Sequence, residues 1–154
     1  MNARVLLLGS LLSIAACSGT SDPEPMTLEQ AQTGFAGTYA GTFTGDGKSG
    51  SIELALSLTA SVTPKCGTHT LSTKCIDVTS IRVVGTLTTA DGSFTKTAVE
   101  GTVTVYGVTT DNGGDLTLRT PAGDTVQGNI KGHKASGTVK LATGKSFTFD
   151  APRK

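Results

Sequence analysis

The chain of 154 residues contains no tryptophan, and aromatic side chains make up only 5% of it. Charge is scarce as well: 13 lysines and arginines face 12 aspartates and glutamates, for a net charge of +1. No basic excess exists to neutralise phosphates and few rings exist to stack on bases, so nucleic acid is not the expected partner. Only two histidines and three cysteines are present, which restricts the choice of proton-transfer and metal-binding groups. The chain has just one sustained apolar run, from Val5 to Ala16, interrupted by Gly9, Ser10 and Ser13. As a helix it would extend about 18 Å, short of the ~30 Å hydrocarbon core of a bilayer, which excludes a membrane span there.

That run follows Met1-Asn2-Ala3-Arg4, which carries one positive charge, and ends in small residues. A charged start, a short apolar middle and a small-residue end predict an export signal over residues 1–16. Ile14-Ala15-Ala16-Cys17 resembles the lipobox of bacterial lipoproteins. The resemblance implies cleavage before Cys17, acylation of that cysteine and attachment to the cell envelope as a membrane-anchored lipoprotein. With Ser18 rather than aspartate next, it implies an outer-membrane address. The alternative is ordinary cleavage at Ala16, leaving Cys17 a free or cross-linked thiol. Residues 17–33 would form the lipidated N-terminus and a flexible tether, because Ser18-Gly19-Thr20-Ser21-Asp22-Pro23-Glu24-Pro25 has nothing to bury. Thr27-Leu28-Glu29-Gln30 has the spacing of a capping box, so a helical turn is expected over 28–32, persisting only if it packs on the domain.

Residues 34–154 read as a single all-β domain. Glycine, with 20 copies, and threonine dominate, and β-branched residues suit a pleated surface while glycine supplies turns. Apolar residues recur with a period of two. Phe35, Tyr39 and Phe43 share a face, as do Ile52, Leu54, Leu56 and Leu58, where a helical period would scatter them. The same alternation returns at Ile81/Val83/Leu87, Val99/Val103/Val105, Leu116/Leu118, Val126/Ile130, Ala135/Val139/Leu141 and Phe147/Phe149. Turn signals stand between most of these segments, at Gly45-Asp46-Gly47, Asp91-Gly92, Asn112-Gly113, Pro121-Ala122-Gly123, Gly132-His133-Lys134 and Thr143-Gly144-Lys145. Eight antiparallel strands in an up-and-down meander follow, and closure into a small barrel removes their exposed edges. A two-sheet β-sandwich is the alternative. The expected filling is Phe35, Tyr39, Phe43, Leu54, Leu56, Val83, Val103, Val105, Ile130, Val139, Phe147 and Phe149, with inward glycines at 41, 101, 128 and 137 letting strands bend.

A helical turn followed by Gly37-Thr38-Tyr39 at the first strand is similar to the start of lipocalins and related calycin barrels, which have tryptophan where this chain has Tyr39. The resemblance implies a barrel open at one end with a small apolar ligand inside.

With Cys17 lipidated, Cys66 and Cys75 form an even pair in an oxidising compartment, predicting a disulfide that staples a surface loop. Closing so short a loop stabilises by roughly 2–3 kcal/mol in the chain-entropy account. Lys65, His69 and Lys74 on that loop are the candidate binding residues, since loops on a rigid scaffold commonly carry function.

Other constellations dissolve on inspection. Gly45-Asp46-Gly47-Lys48-Ser49 and Gly144-Lys145-Ser146 lack the leading glycine and following helix of a phosphate-binding loop, and read as hairpin turns with solvated lysines. Cys66, His69, Cys75 and Asp77 lack the second paired cluster of a zinc site, so no metal is expected. The acidic run Asp111-Asn112-Gly113-Gly114-Asp115 lacks a calcium loop's ligand spacing. His69 and His133 sit in turns, and Glu53 and Glu100 on outward faces, so no acid/base pair is marked. The expected protein is a monomeric, non-catalytic binding or structural module without cofactor, held to the envelope membrane through Cys17. Its partner would be an envelope protein, or, in a calycin-type carrier, a small apolar ligand. Small periplasmic barrels with one disulfide are also similar in outline to bacterial metalloprotease inhibitors, which implies a hydrolase-inhibitor alternative.

Overall fold

A computed structural model describes the backbone of residues 26–69, 72–106 and 113–154, and the side chains of these except 60–78. The predicted signal segment and Cys17 lie outside the described residues. One helix, α1 (Leu28–Phe35), precedes eight strands: β1 (Gly37–Gly45), β2 (Lys48–His69), β3 (Ser72–Thr89), β4 (Thr97–Tyr106), β5 (Gly114–Arg119), β6 (Thr125–Lys131), β7 (Lys134–Lys140) and β8 (Ser146–Pro152). Each strand pairs antiparallel with the next. β8 returns to β1 through Thr42–Asp150, Phe43–Phe149 and Thr44–Thr148, closing the barrel in simple sequence order. The sandwich alternative is thereby excluded, and the eight-stranded meander read from the two-residue period is the fold.

Alternation explains the closure. Along β5 and β8, inward residues are buried and outward ones exposed at every step, as a strand apolar on one face requires. All twelve side chains expected to fill the barrel are buried, none above 7% exposed. Gly128 and Gly137 stand directly opposite one another on β6 and β7. A Cβ on either would run into a neighbouring carbonyl, that of Ser136 or Gln127, so the tight curvature there depends on both being glycine.

Each end of the barrel is stoppered. At the end where β5 begins, α1 inserts Phe35, whose ring lies over Gly114 beside Val103. The capping box forms as the spacing predicts: Thr27 Oγ1 accepts from the Gln30 amide at 3.2 Å, and the Thr27 amide donates to Gln30 Oε1 at 2.8 Å. The helix nevertheless runs beyond the expected single turn to Phe35, and Met26 and Ala31 join the buried core. Among the described residues the packed body thus includes Met26, Ala31 and Phe35, of which Met26 and Ala31 fall within the segment read as tether, because the apolar face of the helix finds the barrel mouth.

The other end is closed by Phe94, whose ring meets Phe147 at 6.3 Å while Phe147 meets Phe43 at 4.9 Å. Phe94 lies outside every strand and escapes a two-residue period. A side-chain network sets its loop. Asp91 accepts from Thr89 Oγ1 at 2.7 Å, from the Ser93 amide at 3.1 Å and from Lys48 Nζ at 2.9 Å. Thr89 Oγ1 in turn accepts from the Phe94 amide at 3.1 Å.

One expectation is corrected. The segment from Cys66 to Cys75 reads as a loop, but β2 continues to His69 and β3 restarts at Ser72. The two strands have 22 and 18 residues, against 10 for β4 and 7 for β8. Threonine, valine and isoleucine flank the cysteines on both sides and favour strand; only the glycine and serine there suggest a loop.

Candidate functional site

The long hairpin is where the candidate binding residues fall. β1 accompanies β2 only as far as Leu56, and the described part of β4 accompanies β3 only as far as Val78. Beyond those points the hairpin leaves the barrel wall as a two-stranded arm, with β2 and β3 pairing to each other among the described residues. Lys65 stands opposite Val78, Cys66 opposite Asp77 and His69 opposite Ser72, with Lys74 on the returning strand. The side chains of Lys65, Cys66, His69, Lys74 and Cys75 lie outside the described residues. The backbone register does not set the two cysteines face to face, because Cys66 is paired two positions away from Cys75.

At the root of the arm stands Tyr106, opposite Val78. It is 54% exposed, the one large apolar side chain so exposed among the described residues. With Gly113, Asp115, Asn129, Ile130 and Lys131 it borders a cleft of about 150 Å3. Sequence patterning passes over Tyr106 because an outward position at a strand end looks like any other.

The seam between helix and barrel is held by two side-chain hydrogen bonds. Tyr39 Oη donates to the Phe35 carbonyl at 2.9 Å, and Arg153 Nη1 donates to the Thr33 carbonyl at 2.6 Å. Burial pushes the Tyr39 phenol above its ordinary value, opposed by the charge of Arg153. Through this hydrogen bond the Tyr39 hydroxyl latches the end of the helix to the first strand. His133 occupies a two-residue turn with positive φ, its Nδ1 3.5 Å from Arg153 Nη1.

The other singled-out groups are dispersed. Gly45 to Lys48 forms a hairpin turn, with Asp46 and Gly47 both at positive φ. Its Lys48 is bound to Asp91, and Lys145 at the second candidate turn pairs with Asp46 at 2.7 Å. Both turns are hairpin turns with solvent-exposed lysines as expected, and each lysine also reaches a carboxylate across to another turn. Those hydrogen bonds, from Ser93, Thr89 and Lys48, hold the Asp91 carboxyl far below the usual carboxylate range. Glu53 pairs with Lys154 at 2.6 Å and Glu100 with Arg82 at 3.6 Å, both on the outer wall. Among the described residues no three histidine, cysteine or acidic side chains converge.

Two larger clefts also lie on the outer wall. One of about 320 Å3 runs over Gly41, Ile52, Glu53, Thr88 and Lys154, and one of about 430 Å3 over Val84, Ala98, Glu100, Arg119 and Pro121. The interior differs. Tyr39, Val83, Val103, Leu118, Val126 and Val139 are all 0% exposed, so no water-sized space touches them.

No family model, curated protein or solved structure matches the chain.

Proposed function

We propose that this protein is an exported, lipid-anchored envelope lipoprotein whose barrel is a non-catalytic scaffold, and whose binding surface is the β2–β3 arm with Tyr106 at its root. The anchor rests on Ile14-Ala15-Ala16-Cys17, and the observation that carries the binding surface is the disproportion of that hairpin. Strands of 22 and 18 residues outrun a barrel wall whose other strands have no more than 10. An isolated two-stranded ribbon is only marginally stable in water, so extending one beyond its sheet is costly unless something uses it. An exposed aromatic at its base suits a protein partner, since tyrosine is enriched at interface anchors. An interior carrier site has less support, because it needs space where the inward side chains are fully buried. The Cys66–Cys75 disulfide belongs to the same proposal, as a staple on the arm.

Two variants test the two halves of the reading. Cys17→Ser should move the protein from the membrane fraction to the soluble one while the barrel still folds. A protein that stays on the membrane contradicts the anchor. Replacing residues 66–77 by Asn-Gly joins Lys65 to its partner Val78 through a two-residue turn. This trimmed protein should lose the envelope proteins that the full chain captures after cross-linking, whereas an unchanged captured set contradicts binding by the arm.

A further inference from the structure

The register of the arm carries a second message. From Ile52–Thr89 to Leu58–Val83, every pair obeys one continuous antiparallel register. Between Leu58 and Val62 two extra residues of β2 are accommodated, and the pairing then runs Val62–Ile81 through Gly67–Ile76 in a register displaced by two. Between Gly67 and His69 the excess passes to β3, and His69–Ser72 is again in the original register. The two irregularities therefore cancel. If neither were present, the original register would run unbroken from the barrel to the tip. In that unbroken register Ala60 faces Ile81, Val62 faces Thr79, Lys65 faces Ile76, and Cys66 faces Cys75.

We infer that the β2–β3 arm has two registers, and that oxidation of Cys66 and Cys75 selects the continuous one. The inference rests on the disulfide proposed above. In the displaced register the two cysteine Cα atoms stand about 8 Å apart, from a two-residue offset along the strand and one strand spacing across it, beyond the ~7 Å that a disulfide can bridge. In the continuous register they are directly opposed, about 5 Å apart, which a disulfide spans. A two-residue slide preserves which face each side chain occupies, so the exchange does not turn the arm inside out. The outlet for the slide is already visible: Thr59 Oγ1 donates to the Arg82 carbonyl at 3.3 Å, where the continuous register would set residues 59 and 82 opposite each other. β3 stays fixed to β4 through Val78–Tyr106 and Ile81–Val103, so β2 is the strand that moves, by roughly 6–7 Å.

The chemistry is thiol–disulfide exchange with a disulfide donor. The Cys66 thiolate attacks one sulfur of the donor, forming a mixed disulfide and expelling one donor thiolate. The Cys75 thiolate then attacks Cys66 Sγ and expels the second. The cysteine pair loses two electrons and two protons, and the donor disulfide is reduced to two thiols. The consequence is a binding arm whose outward side chains change neighbours with the redox state of the compartment.

The test uses the Cys17→Ser chain, in which Cys66 and Cys75 are the remaining cysteines, oxidised with glutathione disulfide. Its reduced reference also carries Cys66→Ser and Cys75→Ser. Alkylation followed by mass analysis reports whether the pair is bridged. Backbone proton contacts by NMR then report the register. The reduced reference should show Val62–Ile81 and Lys65–Val78 contacts, and the oxidised chain Val62–Thr79 and Lys65–Ile76, with Ile81–Val103 unchanged in both. A bridged chain that keeps the Val62–Ile81 contact overturns the register exchange while leaving the disulfide standing. A pair that stays reduced overturns both. A reduced reference already in the continuous register also overturns it.

Discussion

The barrel wall and the arm share one hairpin, β2–β3, yet its two parts obey different constraints. Within the wall, β2 and β3 each have two hydrogen-bonded neighbours and an inward face locked among Leu54, Leu56, Val83 and Leu87. A slip of one residue there would carry every apolar side chain to solvent, so one register is enforced. Past Leu56, β2 has only β3 beside it among the described pairs, while β3 keeps β4 as far as Val78, and along this one-sided stretch the register wanders by two before returning at His69–Ser72. Closure therefore does more than remove edges. It is what makes the pairing unique, and the part of the sheet that leaves the barrel is the part free to have alternatives.

The largest effect should come from breaking the barrel's interior. Leu118, fully buried, should cost about 2–5 kcal/mol as Leu118→Ala, read from the urea midpoint, because the closed wall cannot collapse on the void. Next is the Asp91 network that seats Phe94 in the far end. Asp91→Asn should cost on the order of 1–2 kcal/mol at neutral pH through weakened hydrogen bonds to Thr89, Ser93 and Lys48. Because the folded carboxyl is held below the usual range, its stabilisation is present above the ordinary carboxylate value near 4 and lost as pH falls below it. The gap in Tm between the parent and Asp91→Asn should accordingly narrow from pH 6 to pH 2.5, and a constant gap would count against the network. Thr27→Ala removes the cap of α1 and should cost about 1 kcal/mol, with protection of the Gln30 and Ala31 amides falling first. Smallest is the arm itself: replacing residues 66–77 by Asn-Gly should change barrel stability by less than about 0.5 kcal/mol, since those residues touch no wall strand beyond β2 and β3 among the described pairs.

The same division decides what could be read from the sequence. Tyr39, Leu54, Val103, Val139 and Phe149 are legible because a strand with one dry face writes its period directly into the chain. The turn at Asp46-Gly47 is legible because only residues tolerant of positive φ fit it. Phe94 and Met26 are not, because each is buried by a loop or helix end whose path depends on a tertiary network rather than on local period. The pairing of Lys48 with Asp91 and of Lys145 with Asp46 escapes for the same reason, since it joins turns distant in sequence. At the candidate site, the identities of Lys65, His69, Lys74 and the two cysteines are plain, but their setting is not. Glycine, threonine and serine around Cys66 and Cys75 satisfy a loop and a ribbon equally well, and pairing rather than composition separates the two.

Residue-by-residue amide hydrogen exchange on the full chain tests the contrast between wall and arm most directly. The account predicts that amides of Val103, Leu118 and Val139 exchange only with global unfolding, while those of Lys65, Gly67 and Ile76 exchange by local opening at far lower free energy. Equal protection in both regions would contradict it.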